Sequence, residues 1–355
     1  MASPLSTYAY LNAKLKARIS GLLPESFFEQ LLHAPSLVEA MQLLQSTNYA
    51  IVEQTYTATG DLKMCELRLL EQELGVFLNL HKSTERQVKT FSEALICRYE
   101  IDNLKNALRL WFDRNVRKRA IADKVGYLLR QQIFHDLDLD SVIFGPDIAA
   151  VASQFADTPF ADIIARCLPL LESSKSIFPL EIELDKYFYE NLLSSAQVLS
   201  NGDQSIVRRL IGVEVDIMNI NWIIRLKSLY SLKAEDALRA VIPYGFSLSP
   251  GALRDAYGEK SIQDVIKACI GGRYTGLQAL LSEETREETS RLLLLERVLE
   301  RIVLSEIQRV LAGDPFTIGI LLAYFILKRL ESRHLVTVLN AKYYAITGER
   351  VKDIL

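Results

Sequence analysis

Glu100-Ile101-Asp102-Asn103-Leu104-Lys105-Asn106-Ala107-Leu108-Arg109 carries a pattern that the chain uses twice more. Asp216-Ile217-Met218-Asn219-Ile220-Asn221-Trp222-Ile223-Ile224-Arg225 is the second copy, and Glu331-Ser332-Arg333-His334-Leu335-Val336-Thr337-Val338-Leu339-Asn340 is the third. Each has an acid, an amide or imidazole three residues later, an aliphatic residue next, two apolar residues at the seventh and eighth steps, and a polar residue at the ninth. At 100° per residue these steps put the acid, the amide and the apolar residues on one face of a helix, with the ninth position almost opposite. The three acids lie 116 and 115 residues apart. That spacing is a domain-like length and too long for the short helical repeats of solenoids. It predicts three related helical units over residues 1–122, 123–238 and 239–355.

A carboxylate and an amide on a packing face must find partners, because leaving either buried and unpaired costs about 1–3 kcal/mol. Glu100 with Asn103, Asp216 with Asn219, and Glu331 with His334 therefore read as a polar network that fixes helix packing, with a direct interface role as the alternative. His334 stands in the amide's place. Arg109 and Arg225, at the outward ninth position, are candidate interface residues, joined by Lys227 and Lys342 at the ends of the later copies.

The rest of the chain agrees with a helical fold. Gly (16) and Pro (10) make up about 7% of 355 residues, against a usual share of about 12%. Apolar residues recur at three- and four-residue steps in Leu67-Leu70-Leu74-Phe77-Leu78 and Leu292-Leu295-Val298-Leu299-Ile302. Ser36 to Glu39 and Ser261 to Asp264 read as capping boxes, each with a tyrosine (Tyr49, Tyr274) ten residues after its acid. Thr158-Pro159 reads as a cap followed by a first-turn proline. Breaks are expected over residues 138–146, 201–203, 242–251 and 313–315. Asn48 to Tyr56 is the best strand candidate.

Composition excludes several function classes. The 41 basic and 44 acidic residues are interspersed, so no basic stripe offers a nucleic acid its footprint. Cys65, Cys97, Cys167 and Cys269 are far apart, which suits buried thiols in a reducing compartment rather than a zinc site. The start lacks the pattern of a secretory signal, and the longest strongly apolar run, Ile318 to Leu327, is ten residues, too short to cross a bilayer.

Chemistry-bearing motifs are incomplete. Gly271 to Gly276 has the glycine spacing of a phosphate loop, but Leu277 follows where Lys and a hydroxyl residue are needed. Glu331 and His334 form one half of a helical di-iron pair without its second half. Asp136, Asp138 and Asp140 alternate without the glycine and closing glutamate of a calcium loop, and His33, His81 and His135 show no ligand spacing. No catalytic residue, metal ligand or cofactor site is expected.

In order along the chain, several stretches resemble the C/d subunit family of V-type (archaeal and vacuolar-type) ATPases and ATP synthases. They are Tyr8 to Arg18 with Leu22-Leu23, the helices Glu100 to Arg109 and Asp216 to Lys227, Leu184-Asp185-Lys186-Tyr187-Phe188-Tyr189, and Asp314-Pro315-Phe316-Thr317-Ile318-Gly319 with Glu331-x-x-His334-Leu335. His334, where the family usually has Asn, and Asn340, where a basic or small residue is common, depart from it. The resemblance implies an all-α, funnel-like protein of three related helical bundles in a pseudo-threefold arrangement, without catalytic activity. It implies a place on the cytoplasmic face of the membrane, peripheral to it, between two partners: the central-shaft subunits and the membrane proteolipid rotor ring. An unrelated helical adaptor for peptides or signalling partners is the rival expectation.

Overall fold

The computed structural model describes residues 3–229, 234–259, 262–270 and 288–346. Among these residues every regular element is helical and there is no strand, as the composition predicts. In chain order the α-helices are α1 (Pro4–Ile19), α2 (Glu25–His33), α3 (Leu37–Leu44), α4 (Ala50–Thr59), α5 (Leu62–Lys82), α6 (Arg86–Asn115), α7 (Leu139–Phe144), α8 (Ile148–Ser153), α9 (Ala161–Ser174) and α10 (Phe178–Ser195). There follow α11 (Asn201–Leu229), α12 (Ala234–Arg239), α13 (Pro250–Gly258), α14 (Ile262–Ile270), α15 (Glu288–Leu311) and α16 (Gly319–Tyr343).

The chain divides into two compact units, residues 54–198 and residues 1–53 with 199–355, the division falling inside α4. In the first of these, α6 is the central element, packed by α5, α7 and α10. It is 30 residues long, about 45 Å at 1.5 Å per residue. Its buried positions run all round the helix, from Val88 and Phe91 to Leu108, Trp111 and Phe112, which is why a narrow apolar stripe is not its signature. In the other unit α16 plays the same part, packed by α1, α2, α3, α11 and α15. The ten-residue apolar run opens α16, and Gly319 to Ile326 are all buried within the protein. No described helix is long and apolar enough to cross a membrane.

Local signals mostly place the helix ends. Ser36 Oγ accepts from the Glu39 amide at 3.2 Å and starts α3, and Asp138, Asp147 and Ser249 cap α7, α8 and α13 in the same way. Two expectations are corrected. Asn48 to Tyr56 forms no strand: residues 50–56 begin α4, because Tyr49, Val52 and Thr55 are buried at steps of three, a helical spacing that outweighs the β-branched composition. Thr158 caps no helix; its hydroxyl donates to the Phe155 carbonyl and accepts from the Phe160 amide, closing a turn before α9 begins at Ala161. The expected break at residues 138–146 contains α7, and that at 201–203 is the start of α11. Ser261, Tyr274, the Gly271–Gly276 loop and the Arg225 side chain lie outside the described residues.

Candidate functional site

The repeated stretches fall on α6, α11 and α16, and each of these long helices grips a shorter one at both of its ends. On α6, Glu100 Oε1 accepts from the amides of Phe134 (3.2 Å) and His135 (2.8 Å), and its Oε2 meets His135 Nδ1 at 2.7 Å. Eleven residues on, Trp111 Nε1 donates to the carbonyl of Gly145, the residue that ends α7, at 3.0 Å. On α11, Asp216 accepts from the amides of Ser247 (2.6 Å) and Leu248 (3.1 Å), just ahead of α13. Lys227, again eleven residues on, donates to the carbonyls of Tyr257 and Glu259 at the end of α13, both at 2.5 Å. On α16, Glu331 accepts from the Leu23 amide (2.6 Å) ahead of α2, and Lys342 donates to the carbonyls of Leu32 (2.6 Å) and Ala34 (2.5 Å) at its end.

The physics of each grip is the same. A helix leaves its first amides and last carbonyls unpaired and carries partial positive charge at its start and negative charge at its end. A carboxylate near the start meets that positive charge while it takes up loop amides just ahead of the helix, and an N–H donor at the end satisfies the last carbonyls. Eleven residues of the long helix span about 16 Å, enough to bracket a short helix running parallel to it. Each charge-assisted bond contributes about 1.5–3 kcal/mol.

The amides of the pattern add a second hold. Asn103 Nδ2 donates to the Leu129 carbonyl (2.9 Å) while its Oδ1 accepts from the Leu129 amide (3.0 Å). Asn219 does the same to Ile242, both at 2.9 Å. A primary amide is the side chain that pairs both polar groups of one extended residue, donor to acceptor and acceptor to donor. His334 does not take this role. Its Nε2 pairs with Glu300 of α15, and Phe28 stands edge-on to its ring at 5.7 Å. The segment that precedes Leu23 is α1, whose backbone groups already pair within the helix and offer nothing for an amide to hold.

Glycine makes room for the α11 grip. A methyl group on Gly245 would overlap Asp216 Oδ1 and sit 2.7 Å from the Leu248 carbonyl, so only glycine lets the loop close on that carboxylate.

Several other buried polar groups are paired within their own unit. Lys328 and Tyr49 join Glu331, with Lys328 Nζ 3.1 Å from the carboxylate and both groups touching the Tyr49 hydroxyl. Asp185 of α10 takes Lys105 and, at 3.0 Å, Arg98 from α6; burial holds the Lys105 ammonium below its ordinary pKa against the pull of Asp185. Asp203 joins the Tyr8 hydroxyl (2.9 Å) to the Ile318 amide (2.8 Å). Burial, with the charge of Glu100 adding to it, pushes the Cys97 thiol up to about 12.

Of the candidate interface residues, Arg109 is half-exposed, its Nε 2.5 Å from Glu181 and its Nη1 2.8 Å from Asn106. Lys227 and Lys342 point inward onto helix ends. Sequence reasoning passed over Trp111, Lys328 and Lys105, and gave His135 and Tyr49 no part in the polar network. The first had a signal, since a side-chain N–H donor stands eleven residues after the acid in all three copies; Lys328 stands three residues before Glu331 on α16, a local spacing that could have been read, and the others reach their partners across long sequence gaps that no local pattern reveals. Among the described residues no three His, Cys, Asp or Glu side chains gather as a metal-ligand set. Glu331 and His334 themselves turn to different partners.

The whole chain has relatives. A model of the family described as ATP synthase (C/AC39) subunit matches residues 11–354. The chain is similar to the C subunit of the A-type ATP synthase of Methanocaldococcus jannaschii, 22% identical over 100% of this chain and 88% of the relative. It is likewise similar to the A-type ATP synthase C subunits of Methanobrevibacter smithii (23%, 95% of this chain and 85% of the relative) and Archaeoglobus fulgidus (25%, 98% and 95%). With a match running from one end of the sequence to the other and an all-helical fold, the chain belongs to the ATP synthase (C/AC39) subunit family.

Proposed function

We propose that this chain is the non-catalytic rotor subunit that couples the central shaft of an A/V-type ATPase or ATP synthase to the membrane proteolipid ring. Nucleotide chemistry and ion transport belong to other subunits in this reading. The chain would sit on the cytoplasmic face of the membrane without entering it, as three related helical units of about 115 residues in an approximately threefold arrangement. The observation that carries the proposal is the family match over residues 11–354. The structure supports it on physical grounds. A part that transmits torque must resist shear, and helices held at both ends by side-chain hydrogen bonds, most of them charge-assisted, over cores such as that around α6, resist it better than helices packed by apolar contact alone.

Co-purification from detergent-solubilised membranes tests the reading. A tagged chain is expected to bring down both shaft and proteolipid subunits; recovery of neither contradicts it. Reversal of the charges at the ninth positions of the first two copies, Arg109→Glu with Arg225→Glu, is expected to reduce that recovery several-fold while the isolated chain keeps its helical content. Undiminished recovery removes both residues from the interface.

A further inference from the structure

We infer that residues 1–53 are the second half of the module led by α16, so that the chain is a circular permutation of three like modules, the third assembled from an N-terminal and a C-terminal part of the sequence. The inference rests on the three-unit reading above and shifts its boundaries by about half a unit.

Register is the first support. Glu100 reaches His135 and Trp111 reaches Gly145, 35 and 34 residues forward. Asp216 reaches Leu248 and Lys227 reaches Glu259, each 32 residues forward. Glu331 reaches Leu23 and Lys342 reaches Ala34, each 308 residues back. Within each grip the two contacts thus share nearly one offset, and the third grip takes its short helix from the N-terminal part of the sequence.

The segment after each gripped helix is the second, independent support. Behind α7, Asp147 caps α8, and thirteen residues later Phe160 is fully buried. Thr158, two residues before it, donates to the Phe155 carbonyl and accepts from the Phe160 amide at 2.8 and 3.3 Å. Behind α2, Ser36 caps α3, and thirteen residues later Tyr49 is 1% exposed. Thr47, two residues before it, donates to the Leu44 carbonyl and accepts from the Tyr49 amide at 2.7 and 3.1 Å. Both aromatics return to the acid's surroundings in their own module, Tyr49 to the acid itself and Phe160 to the histidine that the acid holds. Phe160 packs on the His135 ring, 5.5 Å between centroids, and the Tyr49 hydroxyl meets Glu331. Residues 1–53 therefore carry for α16 what residues 134–160 carry for α6.

Residues 1–53 precede α16 in synthesis, so α2 lacks both of its grips until α16 has been made.

Two circular permutants of the full chain test the inference, each joining Leu355 to Met1 through a flexible Gly-Ser linker. The first opens between Gly60 and Asp61, where Gly60 is exposed with φ +65° and open space around it. It makes the α16 module continuous. The second opens between the exposed residues Ala122 and Asp123 and parts α6 from α7. The first is expected to melt within about 3 °C of the parent or above it. The second is expected to fall about 4–8 °C below, because its grip must now close a far longer loop. A first permutant that loses as much as the second overturns the inference. If the first does not fold, a parent chain with a protease site after Gly60, cut in the folded state, decides. Residues 1–60 staying bound through gel filtration supports the inference, and their release overturns it. Neither readout involves partner subunits, so failure of the rotor reading would not be mistaken for failure here.

Discussion

Asn219 and His334 occupy the same place in the repeated pattern and do different work, which makes them a controlled comparison. Asn219 is 0% exposed and pairs both backbone groups of Ile242. Asn219→Leu strands a buried N–H and a buried C=O, and a loss of about 2–5 kcal/mol is expected in denaturant unfolding. His334→Leu removes a partly exposed contact with Glu300 and is expected to cost about 1 kcal/mol or less. Equal losses would show that position, not bonding, sets the cost. The cysteines give a second test. All four are buried, and burial raises Cys65 to about 11 and Cys97 to about 12. Since the thiolate is the reactive form, the native chain at pH 8 should resist alkylation at these sites and label them only when unfolded. Mass spectrometry showing rapid native labelling of Cys97 would contradict the packing described.

For the elements, the acid, the amide and their apolar face were legible in α6, α11 and α16 because helical periodicity is a local property. The donors were harder to read. Lys227 and Lys342 look like surface cations, and only the position of a second helix shows that their ammonium groups close helix ends. The same limit hid α4, whose β-branched residues suggested a strand until the burial of Tyr49, Val52 and Thr55 showed a helical face. Two substitutions test the grips as devices. Gly245→Ala puts a methyl group into Asp216 and should cost about 1–3 kcal/mol or more by forcing the loop off α11. Lys342→Met leaves the last carbonyls of α2 without their donor and should cost about 1–2 kcal/mol, with Lys227→Met similar at α13. Thermal melts of the isolated chain measure all three; a silent Lys342→Met would mean that water replaces the ammonium at no cost.

In the whole molecule, fold class and family were readable from the order of short motifs, each weak and jointly specific. What could not be read was the pairing of α16 with the segment around α2, because a contact spanning 308 residues leaves no trace in local spacing. The central physical claim is that each long helix holds a loop amide with its acid and a helix end with its donor. Native-state hydrogen exchange tests it most directly. The amides of Leu23, His135 and Leu248 lie outside α-helices, where exchange is ordinarily fast, yet each donates to a carboxylate. The account predicts protection approaching that of the α6 and α16 cores for all three, and its loss at Leu248 alone in Asp216→Ala. Exchange at the rate of exposed loops in the native chain would contradict it.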